Sequence, residues 1–254
     1  MEKYSRFFST IIMSIALFLS CSSDDISSNI ISSNNNSTNE NSTGNNTQEE
    51  PSNLAEDFKI LSLGDSYTIG QSVCETCRFP EQLKSQLENN YPLSTFELQI
   101  IAQTGWTTSS LVNAINNENP QNNFDIVTLL IGVNNQYQNK PFSIYEEEFP
   151  QLVNIAIEKA KGDLNKVIVI SIPDYAYTPF GNGDPSISQE INSYNNFASN
   201  YCSQNNISFI NITDITRQGL INPNLVASDN LHPSELAYSM FVERILPVVV
   251  QKIQ

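Results

Sequence analysis

Short apolar runs alternate with amphipathic stretches between residues 55 and 254. The apolar runs predict strands at 58–63, 96–102, 124–131, 167–172 and 207–212. The run at 124–131, FDIVTLLI, is almost continuously apolar, which is typical of a strand buried on both faces of a parallel sheet. The amphipathic stretches predict helices at 80–89, 107–116, 144–161, 187–203 and 233–253. We expect Pro150 to divide or kink the third of these helices and Pro247 to interrupt the last.

The alternation of strands and helices predicts an α/β fold, in which a parallel sheet carries helices on both faces. In such sheets, ligands bind beyond the carboxyl ends of the strands. Polar or small residues follow four of the predicted strands: Ser66 the first, Gly105 the second, Asn134 the third, and Asp229 with His232 the fifth. We therefore expect these five residues to meet at one edge of the sheet.

A serine, a histidine, an aspartate and nearby N–H donors are the parts of an acyl-transfer site. The serine supplies the nucleophile, the histidine takes its proton, the aspartate orients the imidazole, and the N–H donors stabilise the oxyanion. Each residue also has a purely structural interpretation. Ser66 and His232 could cap helices or close turns, and Gly105 and Asn134 could occupy turns. Their joint occurrence after successive strands favours catalysis.

Four motifs resemble conserved blocks of the SGNH, or GDSL, hydrolases, and they follow the family's order. LSLGDSYTIG at 61–70 resembles block I, and Gly105 matches the glycine of block II. GVNN at 132–135 resembles block III, and DNLHP at 229–233 matches block V. The resemblance covers essentially the whole folded region and implies a flavodoxin-like, three-layer α/β/α sandwich with a mainly parallel five-stranded sheet.

The resemblance also implies a role for each matching residue. Ser66 would be the nucleophile and His232 the base, with Asp229 behind it. The backbone amides of Ser66 and Gly105 and the side chain of Asn134 would form the oxyanion hole. The sequence departs from the family pattern at Asn135, where the family usually has Asp. Because that residue is not the oxyanion donor, we expect it to support its loop more than the chemistry.

The implied activity is that of a serine ester hydrolase, of the acyl- or acetyl-esterase or lipase type, which forms an acyl-enzyme on Ser66 without a cofactor or metal. The alcohol part of the substrate could be a sugar, a lipid or another small molecule. The loop after the fourth strand carries Tyr175, Tyr177 and Phe180. These aromatic residues could line an acyl or sugar pocket, or they could pack against their own loop.

Composition and charge exclude several other functions. The chain of 254 residues has 12 Lys and Arg against 27 Asp and Glu, which gives a formal net charge of −15. Nucleic acid is not an expected partner, because a phosphate-binding surface needs clustered basic residues. His232 is the single histidine, so zinc sites that need two or three histidines are excluded. No glycine-rich phosphate-binding motif is present.

The N-terminus predicts export. Basic residues precede an apolar run at 7–19, and a small residue stands before Cys21, as in a secretory signal. LFLSC at 17–21 resembles the lipobox of bacterial lipoproteins, and SSDD at 22–25 resembles the surface-export tag of Bacteroidetes-type lipoproteins. We therefore expect a signal peptide over 1–21, lipidation of Cys21, and anchoring at the outer membrane or the cell surface. An ordinary cleaved signal peptide is the alternative.

The remaining chain divides into a tether and a folded domain. Residues 22–54 consist mostly of Ser, Asn and Thr, and such a segment cannot bury enough apolar surface to offset its ordering entropy. We expect a disordered tether there and the hydrolase domain over 55–254.

Three further cysteines leave alternatives open. An oxidising compartment favours a disulfide between Cys74 and Cys77, with a bridge from either of them to Cys202 as the rival. The same three cysteines with His232 could instead form a zinc site, although His232 cannot serve both roles.

A third function class is a non-catalytic glycan-binding surface lipoprotein that keeps the fold.

Overall fold

The computed structural model describes residues 55–254. The predicted signal peptide at 1–21, the lipidation site at Cys21 and the tether at 22–54 lie outside the described residues.

In residues 55–254 a sheet of five parallel strands forms the centre of the fold. The strands are β1 (Asp57–Gly64), β2 (Thr95–Ala102), β3 (Ile126–Leu130), β4 (Val167–Ile170) and β5 (Ser208–Ile210). Their spatial order is β2-β1-β3-β4-β5. This order confirms the predicted α/β fold, and the sheet is parallel throughout.

Helices connect and flank the strands. They are α1 (Ser66–Ile69), α2 (Phe79–Asn90), α3 (Thr108–Glu118), α4 (Val133–Tyr137), α5 (Phe142–Lys159), α6 (Pro185–Gln204), α7 (Thr213–Thr216) and α8 (Glu235–Ile253). Short 3-10 turns lie at Glu75–Cys77, Leu164–Lys166, Tyr175–Tyr177 and Pro223–Leu225. Within residues 55–254, no helix is long and apolar enough to cross a membrane.

The core lies between the sheet and two helical layers. Every residue of β3 and β4 is buried, as expected for central strands of a parallel sheet covered on both faces. Helix α2 packs against α8, and α5 packs against α3 and α6. The result is the predicted three-layer sandwich.

Two helices continue through prolines that were predicted to divide or interrupt them. Pro150 lies inside α5 and Pro247 lies inside α8. A proline removes its own N–H donor, but the neighbouring turns of α5 remain packed through the buried side chains of Phe149 and Leu152. Tertiary packing therefore outweighs the local cost of the proline.

The last helix begins two residues later than predicted. It starts at Glu235 rather than Pro233, because the Ser234 side chain accepts a hydrogen bond from the Ala237 amide and caps the helix. Pro233 instead pairs with Val226 in an isolated antiparallel bridge. His232 is consequently separated from the first turn of α8 by Pro233 and Ser234.

Three strands end at the same level. Gly64, the last residue of β1, is in register with Ala102 at the end of β2 and with Leu130 at the end of β3. The chain winds to opposite sides of β1 when it forms β2 and β3, and this reversal opens a crevice at the carboxyl ends of the strands. The loops that follow β1, β2 and β3 meet in that crevice.

Candidate active site

Ser66 is placed by a sharp turn at the end of β1. The strand ends at Gly64, and a Cβ atom at this position would lie 2.1 Å from Thr68 Oγ1 and 2.5 Å from the Leu130 carbonyl oxygen. Glycine therefore allows the chain to turn directly into α1. The Asp65 side chain accepts a hydrogen bond from the Tyr67 amide at 3.0 Å and caps that helix. Ser66 becomes the first residue of α1 and faces the crevice.

His232 and Asp229 form a hydrogen-bonded pair. His232 Nδ1 lies 2.6 Å from Asp229 Oδ2, so the other ring nitrogen, Nε2, is left to act on a substrate or nucleophile. Asp229 Oδ1 accepts hydrogen bonds from the backbone amides of Leu231 and His232, both at 3.0 Å. In residues 55–254 no hydrogen bond joins the Ser66 hydroxyl to this ring. Catalytic hydrogen bonds are often long without substrate.

Asp229 is held in its ionised form. Partial burial raises the pKa of its carboxyl. Hydrogen bonds from the Ser72 hydroxyl, the His232 ring and two backbone amides lower the pKa by more than burial raises it, so that it lies well below its usual value. A carboxylate that stays ionised can orient the imidazole and stabilise its positive charge.

Three N–H groups are candidates for an oxyanion hole. Gly105 adopts a left-handed φ of 83°, a conformation that favours glycine. Its carbonyl accepts a hydrogen bond from Gln138 Nε2 at 2.8 Å, which holds the Gly105–Trp106 peptide just after the candidate donor. Within residues 55–254, neither the Ser66 amide nor the Gly105 amide donates a hydrogen bond. The third donor, Asn134 Nδ2, has a long contact of 3.4 Å to Asp65 Oδ2.

Asp65 lies beneath the site and is completely buried. Burial raises its pKa from 3.8 to about 7, although the hydrogen bonds from the Tyr67 amide and the Asn134 side chain lower it. The carboxyl group therefore orients the Asn134 amide and caps α1 at the same time.

Asn135 joins two of the loops that carry the site. Its Oδ1 accepts from the Thr108 amide at 2.9 Å, and its Nδ2 donates to the Thr108 hydroxyl at 2.6 Å. Thr108 opens α3, three residues after Gly105. The amide thus supports a loop, which is the role expected for this departure from the family pattern.

Ser66, Gly105, Asn134 and His232 line one cavity of about 200 Å³. Most of its wall is apolar. Tyr137, Tyr175 and Phe180 form an aromatic cluster on one side, with ring centroids 6.1 to 6.2 Å apart. Phe180 and Tyr137 are each about half exposed. Of the three aromatic residues predicted to reach this edge, Tyr175 and Phe180 line the cavity and Tyr177 does not.

The cysteines are arranged for a disulfide rather than for metal binding. Cys74 and Cys77 are bonded, and Cys202 is a buried free thiol on α6. Residues 55–254 contain no group of three or more His, Cys, Asp or Glu side chains that could hold a metal ion. The four residues of the alternative zinc site are not brought together.

The structure adds three residues that the sequence pattern did not single out. Asp65 caps α1 and contacts Asn134, Ser72 contacts Asp229, and Tyr137 lines the cavity. Asp65 has a sequence signal, since it lies inside the motif LSLGDSYTIG. Ser72 has none, because its partner is 157 residues away along the chain.

Residues 62–240 match the sequence profile of the GDSL-like lipase/acylhydrolase family. The match covers well over half of the chain and includes every residue of the candidate site. The chain belongs to this family. Family membership supports an esterase- or lipase-type hydrolase that acts on ester bonds. No curated protein sequence matches this GDSL family member.

Solved structures share the fold of this GDSL family member at low sequence identity. A member of the lipolytic protein G-D-S-L family from Veillonella parvula DSM 2008 is 18% identical, with a TM-score of 0.61, and the alignment covers 76% of this chain and 99% of that one. A variant of an acetyl xylan esterase from Geobacillus stearothermophilus is 18% identical, with a TM-score of 0.59 and coverage of 78% and 96%. The lipase/acylhydrolase from Enterococcus faecalis is 20% identical, with a TM-score of 0.57 and coverage of 76% and 96%.

Proposed function

We propose that the protein is a serine ester hydrolase that works through an acyl-enzyme on Ser66. One observation carries the proposal. A single cavity is lined by the Ser66 hydroxyl, by a histidine whose Nδ1 is bonded to an ionised aspartate, and by Gly105 and Asn134, which offer N–H donors. These are the groups that acyl transfer requires.

The reaction proceeds in two halves. Ser66 Oγ attacks the ester carbonyl carbon as its proton passes to His232 Nε2, and the carbonyl oxygen becomes an oxyanion. The oxyanion accepts hydrogen bonds from the Ser66 and Gly105 amides and from Asn134 Nδ2. When the carbon–oxygen bond to the alcohol breaks, His232 returns the proton to the leaving oxygen. Water then attacks the acyl-enzyme with His232 as base, which releases the acid and restores Ser66.

The cavity favours an uncharged, short acyl group. A volume of about 200 Å³ lies below the roughly 300–1,000 Å³ of typical small-molecule sites, which favours a short acyl group over a long fatty acyl chain. His232 is the one ionisable side chain with a basic nitrogen among the described lining residues. The described lining residues include no Lys or Arg, so the site offers no permanent positive charge to bind an anionic substrate. We propose that acetyl to butyryl esters are hydrolysed faster than palmitoyl esters.

A fluorophosphonate serine probe, followed by peptide mapping, tests the mechanism. The label is expected on Ser66, and Ser66→Ala and His232→Ala are each expected to lower kcat by several orders of magnitude. Combining them costs little more, because the two residues act as a unit. The exposed Ser186 on α6 provides the control: Ser186→Ala keeps full labelling and activity. A label on another serine would contradict the mechanism. A folded protein with neither label nor hydrolysis would favour the non-catalytic glycan-binding alternative.

We further propose that the protein is an exported bacterial lipoprotein of the Bacteroidetes type, anchored at the outer membrane through Cys21. The lipobox-like LFLSC and the following SSDD support this proposal. A polar tether at 22–54 would separate the hydrolase domain from the membrane and leave the cavity free to reach ester substrates.

A further inference from the structure

The loop Gly70–Arg78, here called the disulfide loop, connects α1 to α2 and touches two parts of the candidate site. Gln71 Oε1 accepts a hydrogen bond from the Thr104 hydroxyl at 2.6 Å, next to Gly105. The adjacent residue, Ser72, donates a hydrogen bond from its hydroxyl to Asp229 Oδ2, also at 2.6 Å. Neighbouring side chains of one loop therefore contact Thr104, beside the proposed oxyanion donor Gly105, and Asp229, the partner of His232.

The contact from Ser72 differs from the other hydrogen bonds to Asp229. The other donors are the Leu231 amide, the His232 amide and His232 Nδ1, which belong to the same short segment as the carboxylate. Because donor and acceptor lie in one segment, those bonds do not fix the position of that segment relative to the rest of the domain. Among the described residues, Ser72 is the one donor to this carboxylate from outside 229–232. It also lies only six positions after the proposed nucleophile, Ser66.

The backbone at Ser72 is held in an unfavourable conformation. Its φ is +69°, which lies in the left-handed region that residues with a Cβ rarely adopt. Such a conformation persists only when the surroundings impose it. The Cys74–Cys77 disulfide closes the loop just after this residue. At its end, the Arg78 guanidinium binds the Glu75 and Glu81 carboxylates.

We propose that Ser72 is a positioning residue for ester hydrolysis, presented by the disulfide loop so that its hydroxyl fixes the Asp229 carboxylate against the His232 ring. The proposal rests on the proposed function. It extends the site beyond the residues that the family motifs contain, because Ser72 touches neither the cavity nor the reacting atoms and acts through Asp229.

Two substitutions of Ser72, to glycine and to asparagine, distinguish the effect of the hydroxyl from the effect of the backbone conformation. Ser72→Gly removes the donor and relieves the left-handed conformation, so that misfolding is not the expected outcome. Ser72→Asn keeps a donor on a residue that tolerates this φ. A hydrogen bond to a charged group contributes about 1.5–3 kcal/mol, which corresponds to roughly a ten- to hundredfold loss of kcat in Ser72→Gly. KM should change less than twofold, and Ser72→Asn should recover most of the activity.

The matched control is Ser186→Gly. Ser186 is exposed and its hydroxyl donates to Asp184 at 2.7 Å, a serine–aspartate contact of nearly the same length outside the cavity lining. This variant should keep wild-type kcat. The Cys74→Ser/Cys77→Ser double variant should lose kcat in the same direction as Ser72→Gly, and wild-type activity in it would overturn the role given to the disulfide.

Nuclear magnetic resonance of the imidazole provides a readout that does not depend on turnover. His232 is the single histidine of the chain, so its Nδ1–H proton can be assigned without ambiguity. In Ser72→Gly we expect this resonance to shift and to exchange faster with water, because Ser72 and His232 Nδ1 share the acceptor Asp229 Oδ2 and the carboxylate is less firmly held. An unchanged resonance together with wild-type kcat would overturn the proposal. If the wild-type protein neither hydrolyses esters nor reacts with the serine probe, the proposed function fails, while the resonance still decides whether Ser72 fixes the pair.

Discussion

The buried Asp65 carboxyl should make folding stability depend on pH between pH 5 and pH 8. Its pKa is about 7 in the folded protein, because burial disfavours the charge, against 3.8 for an exposed carboxyl. Between these values the folded state binds more protons than the unfolded state, so the free energy of unfolding falls as pH rises. Above pH 7 both states are ionised and the slope disappears.

The size of the effect follows from the two pKa values. One pKa unit corresponds to about 1.4 kcal/mol, and integration from pH 5 to pH 8 gives a loss of about 3 kcal/mol from this group. Asp65→Asn cannot ionise and should lack this contribution. Its amide can still cap α1, although its Nδ2 would face Asn134 Nδ2 and add a constant cost. The prediction therefore concerns how the difference between variant and wild type changes with pH, since a constant cost cancels.

Urea unfolding at several pH values measures this difference. Trp106 is the single tryptophan of the chain and is partly buried, so its fluorescence reports unfolding. The stability of Asp65→Asn relative to wild type should rise by about 3 kcal/mol from pH 5 to pH 8. Asp184→Asn is the matched control, because Asp184 also caps a helix but is exposed, and hydrogen bonds from Ser186 lower its pKa. Its difference from wild type should stay flat. A flat difference for Asp65→Asn as well would refute the reasoning.

Three further substitutions test other parts of the structure. Asn134→Ala should lower kcat about 10²- to 10³-fold, the usual loss for one oxyanion donor, while Ser66 still reacts with the serine probe; unchanged kcat would remove Asn134 from the oxyanion hole. Gly132→Ala should lower the free energy of unfolding by about 2–4 kcal/mol, measured with urea, because φ is +131° and the new Cβ would lie 2.6 Å from the Tyr145 ring; an equally stable variant would contradict this. Cys21→Ala should abolish palmitate labelling of the protein in cells, and persistent labelling would exclude the anchor.

The sheet and the edge that carries the site follow from local patterns. The central strands β3 and β4 are short, mostly apolar runs, and the parallel arrangement requires that the carboxyl ends of all the strands lie at the same edge. That rule alone brings the residues after β1, β2 and β3 together, without knowledge of any side-chain contact. The short helices α1 and α4 do not emerge from periodicity, because five residues or fewer complete little more than one turn.

The finer structure of the site depends on contacts that sequence patterns do not record. Ser72 lies in an exposed loop, and its partner Asp229 belongs to the other end of the chain. The raised pKa of Asp65 arises from burial by the whole domain rather than from its neighbours in sequence. At Pro233 a local rule was misleading, because a proline before a good capping serine can precede a helix as well as open it.

The placement of the proposed catalytic pair, Asp229 and His232, after β5 has a consequence for the order in which activity would be acquired. A nascent chain that ends at Ile210 already contains all five strands of the described sheet and Ser66, but it has neither Asp229 nor His232. It also lacks α8, so that the face of α2 which α8 covers in the finished domain would be open to water. A chain cut short after β5 by proteolysis or interrupted synthesis would therefore contain the proposed nucleophile, Ser66, without the proposed base, His232. If these residues act as proposed, ester hydrolysis would report that synthesis has continued at least as far as His232.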